Sequence, residues 1–280
     1  MDLHSDLLTY IFNLSSESCK YTCKFVCKKF NRLIKVNKVK LSKCDFTHSK
    51  EQLKWLMSLG VTMESLICST IAFNGDLSLL QWAREKNIPW DASTCSLAIL
   101  GKHMDVYNWA RLNGCLIDSY STQFAAAVGN FSLLKSLKEE GVPMNYEVCY
   151  CIARFGDIEM MKWAISNGLN PTSSDFCGAA SKGHLEMIKW LRTIATWDKW
   201  SICHALSNRQ MDVLEYLWSE GCPRDSECCA VAARKGDILL LKWLKNHGFV
   251  FDDFMYEAGT VKAREYILST GYKPKNPLSL

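Results

Sequence analysis

The sequence predicts an all-α chain in which copies of one helix pair stack side by side, and three observations carry this. One eleven-residue phrase recurs: NGDLSLLQWAR at 74–84, GKHMDVYNWAR at 101–111, FGDIEMMKWAI at 155–165, KGHLEMIKWLR at 182–192 and KGDILLLKWLK at 235–245. Its reference position, the glycine of most copies, falls at Gly75, Lys102, Gly129, Gly156, Gly183, Arg209 and Gly236, 27 residues apart except for one step of 26. Constant spacing of this kind marks a repeat architecture. Finally, the apolar face of each copy is too wide for one helix to hide alone.

That width follows from a helical wheel at about 100° per residue. Positions two, four, five and eight after the reference are apolar in all seven copies, as Leu185, Met187, Ile188 and Leu191 show. An aromatic column at position seven (Trp82, Trp109, Trp163, Trp190, Tyr216 and Trp243, with Ser136 the exception) widens the arc to roughly 220°, about twice what a surface helix needs. Neighbouring copies are the simplest cover for such a face. Trp55 sits 27 residues before Trp82, so an earlier, weaker unit begins near His48.

The ends of each helix are also written in the pattern. Twelve residues after the reference come Asn87, Gly114, Gly141, Gly168, Gly221 and Gly248, with Gly60 in register before them. Glycine and asparagine enter left-handed backbone cheaply and stop a helix there. Asp91, Asp118, Asp225 and Asp252 follow as expected caps of the next helix. The helix before each reference position is shorter and carries alanines three and four places ahead of it, among them Ala72, Ala98, Ala153, Ala180 and Ala233. Cys68, Cys95, Cys149 and Cys229 recur at the repeat period, and read as small core residues. Residues 193–199, TIATWDK, break the rule, with Ala195 in the glycine column and one residue missing, and a local kink or offset is expected there.

The pattern Ala179, Ala180, Gly183, His184, Leu185, Glu186, Ile188, Lys189, Leu191 resembles the ankyrin repeat over roughly residues 48–272. The resemblance implies an ankyrin-type helix-pair solenoid. Its period is shorter than the family's, about 33 residues, which implies clipped or absent β-hairpin fingers. Short-period, tryptophan-rich arrays of this kind resemble those that large DNA viruses encode in families. Asp252 to Gly271 is abbreviated and polar, as an end cap should be.

The amino end is a different object. Residues 20–43 hold nine of the 33 basic residues and none of the 29 acids, so the formal charge of +4 conceals a remainder that is net acidic. Leu3, Leu7, Leu8, Ile11 and Phe12 share one helix face, and after SSES so do Cys19, Cys23, Val26, Cys27, Phe30 and Leu33. From the residues alone, these helices are a cap on the first repeat or a basic anchor for nucleic acid or an anionic membrane. LHSDLLTYIFNL followed by KFVCKKFNRLI also resembles an F-box, with His4 where the family has proline. That resemblance implies that a Skp-type adaptor of a cullin ubiquitin ligase docks on Leu3, Leu7, Leu8, Ile11, Phe12, Val26 and Phe30. The expected division is residues 1–43, an F-box-like helical segment; 44–272, the array; and 273–280, a tail.

Chemistry of the chain's own is not expected. There is no G-x-S-x-G, P-loop, dinucleotide fingerprint or H-E-x-x-H, and no C-x-x-C pair with zinc spacing among 14 cysteines. No catalytic residue, metal or cofactor is therefore assigned. MDLHSDLL carries acids where a signal peptide is basic, and no apolar run approaches the roughly 18 residues of a membrane span. The expected setting is intracellular, cytoplasmic or nuclear, with reduced thiols. The expected partner is a protein rather than nucleic acid. The ankyrin resemblance places contacts on the concave, first-helix side, at the two positions before each reference residue: Phe73, Leu100, Val128, Arg154, Phe155, Lys182, Arg234 and Lys235 lead this set, apolar in early units and basic in later ones.

Overall fold

The computed structural model describes residues 49–58 and 63–275, and every described helix is where the repeat period asks for one. The F-box-like segment, residues 1–43 with its expected docking residues, lies outside them, as does Gly60. Two compact units divide after Ser121. The first contains α1 (Lys50–Ser58), α2 (Ser65–Asn74), α3 (Leu77–Glu85), α4 (Ala92–Leu100), α5 (Met104–Leu112) and the start of α6 (Ser119–Ala127). The second continues with α7 (Phe131–Glu139), α8 (Glu147–Phe155), α9 (Ile158–Ser166), α10 (Ser173–Lys182), α11 (Leu185–Leu191), α12 (Lys199–Ser207) and α13 (Met211–Ser219). It ends with α14 (Ser226–Lys235), α15 (Ile238–Asn246), α16 (Asp253–Ala258) and α17 (Val261–Ser269). No strand occurs among the described residues, so each unit is an all-α stack of helix pairs.

First helices stack on first helices. In the first unit α2 packs on α4; in the second, α8 packs on α10, α10 on α12, α12 on α14 and α14 on α16. The alanine column makes this approach possible: Ala72, Ala98, Ala153, Ala179, Ala205 and Ala232 are all fully buried. At Gly178 the approach is closer still, because a Cβ there would lie 2.9 Å from the Tyr150 carbonyl oxygen. All ten described cysteines are free and buried, and burial pushes the Cys68, Cys149 and Cys229 thiols up to about 12.

The reference column is the point where the first helix of each pair gives way to the second, and it requires left-handed backbone. Its glycines have φ between 65° and 93°, and Lys102 (φ 64°) and Arg209 (φ 54°) take the same conformation without being glycine. The second column behaves alike, from Asn87 (φ 57°) to Gly248 (φ 76°). The expected aspartate caps form, Asp91 accepting from Ser93 N, Asp118 from Tyr120 N, Asp225 from Glu227 N and Asp252 from Met255 N.

Two expectations need correction. The buried face of the second helices is narrower than the wheel suggests: positions five and eight are buried in every copy and position four in all but one, whereas position two is half-buried throughout. The aromatic column lies at the rim. Trp82 is buried, but Trp109, Trp163, Trp190, Tyr216 and Trp243 are half-buried. Rings from neighbouring segments cover them from the side: Trp90 meets Trp109 edge-on at 5.8 Å, Phe131 meets Trp163 at 5.5 Å and Trp197 meets Tyr216 at 6.2 Å. The break at 193–199 shortens α11 to seven residues. It does not offset the first-helix stack, since α10 packs on α12 as extensively as its neighbours do. Trp197 fills the space instead, buried and edge-on to Phe176 at 5.8 Å.

Candidate interaction surface

With alanine and cysteine columns buried, what remains outside on each first helix is a stripe at i, i+4 and i+7/i+8, ending at the two positions before the reference residue. In the first unit Phe73 is 44% exposed at the end of α2, while Leu100, ending α4, is half-buried. Gly101 beside it is pressed against α2, where a Cβ would stand 2.3 Å from the Phe73 carbonyl oxygen.

In the second unit Val128 is half-buried, whereas Arg154, Phe155, Lys182, Arg234 and Lys235 are exposed. Phe155 lies across Gly129, where an added Cβ would come within 2.0 Å of the ring. The neighbouring Arg154 carbonyl is bonded to His184 Nε2 at 3.0 Å. The histidine ring lies against Gly156, a Cβ there falling 2.7 Å from it. The Gly-His phrase thus ties one repeat to the next. Lys235 Nζ donates to the Ser207 carbonyl, and the Arg234 guanidinium lies 6.0 Å from the Phe254 ring. Arg154, Lys182, Arg234 and Lys235 come from three repeats, while Arg209, the reference residue of the repeat between the last two, is clamped by Asp237 at 2.7 and 3.0 Å.

Sequence reasoning missed the other end of the stripe. Trp200 and Phe254, at the starts of α12 and α16, are 44% and 49% exposed, and Tyr120 and Leu66 occupy comparable places in the first unit. Counted nine residues before the reference, the column reads Leu66, Ser93, Tyr120, Glu147, Ser174, Trp200 and Glu227, as varied as the positions that were singled out. That variability was the available signal. Beside Trp200, Lys199 is held by Asp225 at 2.6 Å and Glu227 at 3.0 Å, a link from α12 to α14. The hydrogen bond from the Lys199 ammonium holds the Asp225 carboxyl below the usual carboxylate range.

Among the described residues no cluster of three or more metal-ligating side chains occurs, and no helix is long and apolar enough to cross a membrane. The clefts are shallow and open to solvent.

No protein-family model matches the chain, and no curated protein matches it. Among solved structures, it is similar to the human ASB11 ankyrin repeat domain at 13% identity, over 76% of this chain and 99% of that one, with a TM-score of 0.39. A likeness that loose carries no argument about function.

Proposed function

We propose that this chain is a non-enzymatic protein-interaction protein that captures a target on its first-helix face and links it to a cullin-type ubiquitin ligase. The observation that supports capture is the contrast between columns. Core positions keep one chemistry from repeat to repeat, while the exposed stripe alternates apolar, aromatic and basic groups. Exposed aromatics and arginines are the residues that carry binding energy at protein interfaces. Phe73, Leu100, Val128, Arg154, Phe155, Lys182, Arg234 and Lys235 are the proposed target contacts, joined by Trp200 and Phe254. Apolar target groups suit those of the first unit and acidic groups the cations of the second.

The link to the ligase is proposed from the F-box resemblance of residues 1–43, with a Skp-type adaptor as partner through Leu3, Leu7, Leu8, Ile11, Phe12, Val26 and Phe30. Residues 44–272 form the array and 273–280 a tail. The setting is the cytoplasm, that of the host if the likeness to viral arrays reflects origin. The basic run at 20–43 favours a second reading, an array anchored on nucleic acid or anionic membrane. A pull-down of purified Skp-type adaptor separates the two: retention that is lost in the Leu8→Asp, Ile11→Asp double variant supports the ligase reading. Salt-sensitive binding to DNA or anionic vesicles with no adaptor retained supports the anchor.

A further inference from the structure

In the second unit, α13 departs from the other second helices in both of its outer charge columns. Six places after the reference residue the chain carries Lys135, Lys162, Lys189 and Lys242, and neutral residues in the first two repeats; α13 has Glu215. Nine places after, Arg84, Arg111, Lys138, Arg192 and Lys245 recur, with Ile165 once; α13 has Trp218. These columns matter for how neighbouring repeats settle their charges. Lys162 pairs with Glu159 at 2.7 Å and Lys189 with Glu186 at 2.8 Å. In α13 the acid of that pair is Asp212, and Glu215 repels it rather than neutralising it. Among the described residues neither carboxylate has an ion-pair partner.

The two carboxylates border an open cleft of about 540 Å³, walled by Tyr216, Trp218 and His247. Its rings are held in place already. Trp218 Nε1–H donates to the His247 carbonyl at 3.1 Å, and the His247 ring stands edge-on to Trp218 at 4.8 Å while stacking on Trp243 at 3.8 Å. A wall fixed beforehand loses little freedom when a ligand arrives. Trp243 in turn lines a second cleft of about 420 Å³ with Met211, Leu239 and the Asp237-paired Arg209, Leu239 being 70% exposed, and the Trp243 indole N–H is buried with no acceptor. Elsewhere the chain covers such rings with its own cations, Arg84 over Trp90 at 4.3 Å and Arg192 over Trp197 at 4.5 Å. Here the cation of that column has become the ring, and Lys189, 5.9 Å from Tyr216, is already engaged by Glu186.

We infer that the α13–α15 cleft docks a lysine- or arginine-bearing segment of a partner protein, one cation held by Asp212 and Glu215 against the Tyr216 and Trp218 rings and a neighbouring apolar side chain on Leu239 and Trp243. Unneutralised carboxylates beside aromatic faces suit a cationic side chain. The site lies on second helices, apart from the first-helix face, so it recruits a second protein without displacing the first.

The test is fluorescence anisotropy of the full chain with a labelled peptide of about ten residues alternating arginine, lysine and leucine, beside a counterpart with glutamate at every basic position. Glu215→Lys and Trp218→Arg restore what other repeats carry at these columns, so both are expected to fold, which circular dichroism and melting verify. Binding of the basic peptide alone, weakened about tenfold by each variant and unchanged by Arg154→Ala, is the expected result. If either variant disturbs the fold, the isosteric Asp212→Asn, Glu215→Gln double variant gives the same reading. Equal affinity of wild type and well-folded variants, or no binding of the basic peptide, overturns the assignment. So does a dimer of the chain alone, seen by sedimentation and dispersed by Glu215→Lys, because the occupant would then be the basic run of a second copy.

Discussion

Replacing Asp175 with asparagine is expected to stabilise the folded chain by about 1–2 kcal/mol above pH 7 and to destabilise it by roughly 1–2 kcal/mol below about pH 4. The carboxyl is 1% exposed in the first turn of α10. One oxygen accepts the Thr172 N–H at 2.5 Å and closes a capping box, while the other is buried without a partner. Burial, opposed by the Thr172 backbone and hydroxyl bonds and aided by Glu147, raises the group from 3.8 to about 6. Because the folded value lies above the unfolded one, its contribution to stability is complete below about pH 4 and is lost as pH rises through about 6. Two pK units correspond to about 3 kcal/mol. Asparagine keeps the acceptor for Thr172 and removes the charge, but its amide finds no new acceptor, which costs roughly 1–2 kcal/mol. A net gain of about 1–2 kcal/mol at pH 8 remains. Urea titrations followed by tryptophan fluorescence at pH 4, 6 and 8 measure it, the midpoint of the variant moving from below that of wild type at pH 4 to above it at pH 8. A variant less stable than wild type at pH 8, or a difference that does not move with pH, refutes the reasoning.

Other consequences follow from the same geometry. Lys102→Gly is expected to gain about 0.5–1 kcal/mol by relieving left-handed backbone in a non-glycine residue, a loss in denaturant midpoint being the contrary result. Gly156→Ala should cost about 1–2 kcal/mol, since φ is +93° and the methyl would meet the His184 ring; a neutral effect would mean that the glycine is not required there. Trp163→Ala, half-buried against Phe131, should lose about 2–3 kcal/mol, below the roughly 3–5 kcal/mol of a fully buried ring. With Cys19, Cys23, Cys27 and Cys44 replaced by serine, the ten remaining thiols should be inert to a thiol reagent at pH 8 until the chain unfolds, and rapid labelling of the native protein would contradict their burial.

The fold was legible because it is repetitive: a column needing left-handed backbone shows itself as glycine five times in seven, and a column needing close helix approach as alanine. Lys102 and Arg209 could be placed there only because their neighbours in register were glycines. What a column cannot show is how far a side chain sits from the water line. The wheel put position two and the tryptophans inside the apolar arc, but the next repeat covers only positions four, five and eight fully, leaving the rest for turn residues such as Trp90 to cover. Trp197, outside every column, is core for the same reason. Asp175 belongs to none of the repeat's columns, and its burial arises from packing that no local pattern records. Of the contact surface, the basic and aromatic ends of the first helices were visible as variation. Trp200 and Phe254 carry the same signal at the other end of the stripe, in a column that varies as widely but lies further from the reference residue. Glu215 and Trp218 were visible breaks in register, but their juxtaposition with His247 is a matter of three dimensions.

The most direct measurement is proximity labelling from the full chain in cells, comparing wild type with the Arg154→Ala, Phe155→Ala, Lys182→Ala triple variant. Capture by the first-helix face predicts that at least one strongly labelled protein disappears with the triple variant while the Skp-type adaptor remains. An unchanged set of labelled proteins, from a variant shown to be folded, would contradict it.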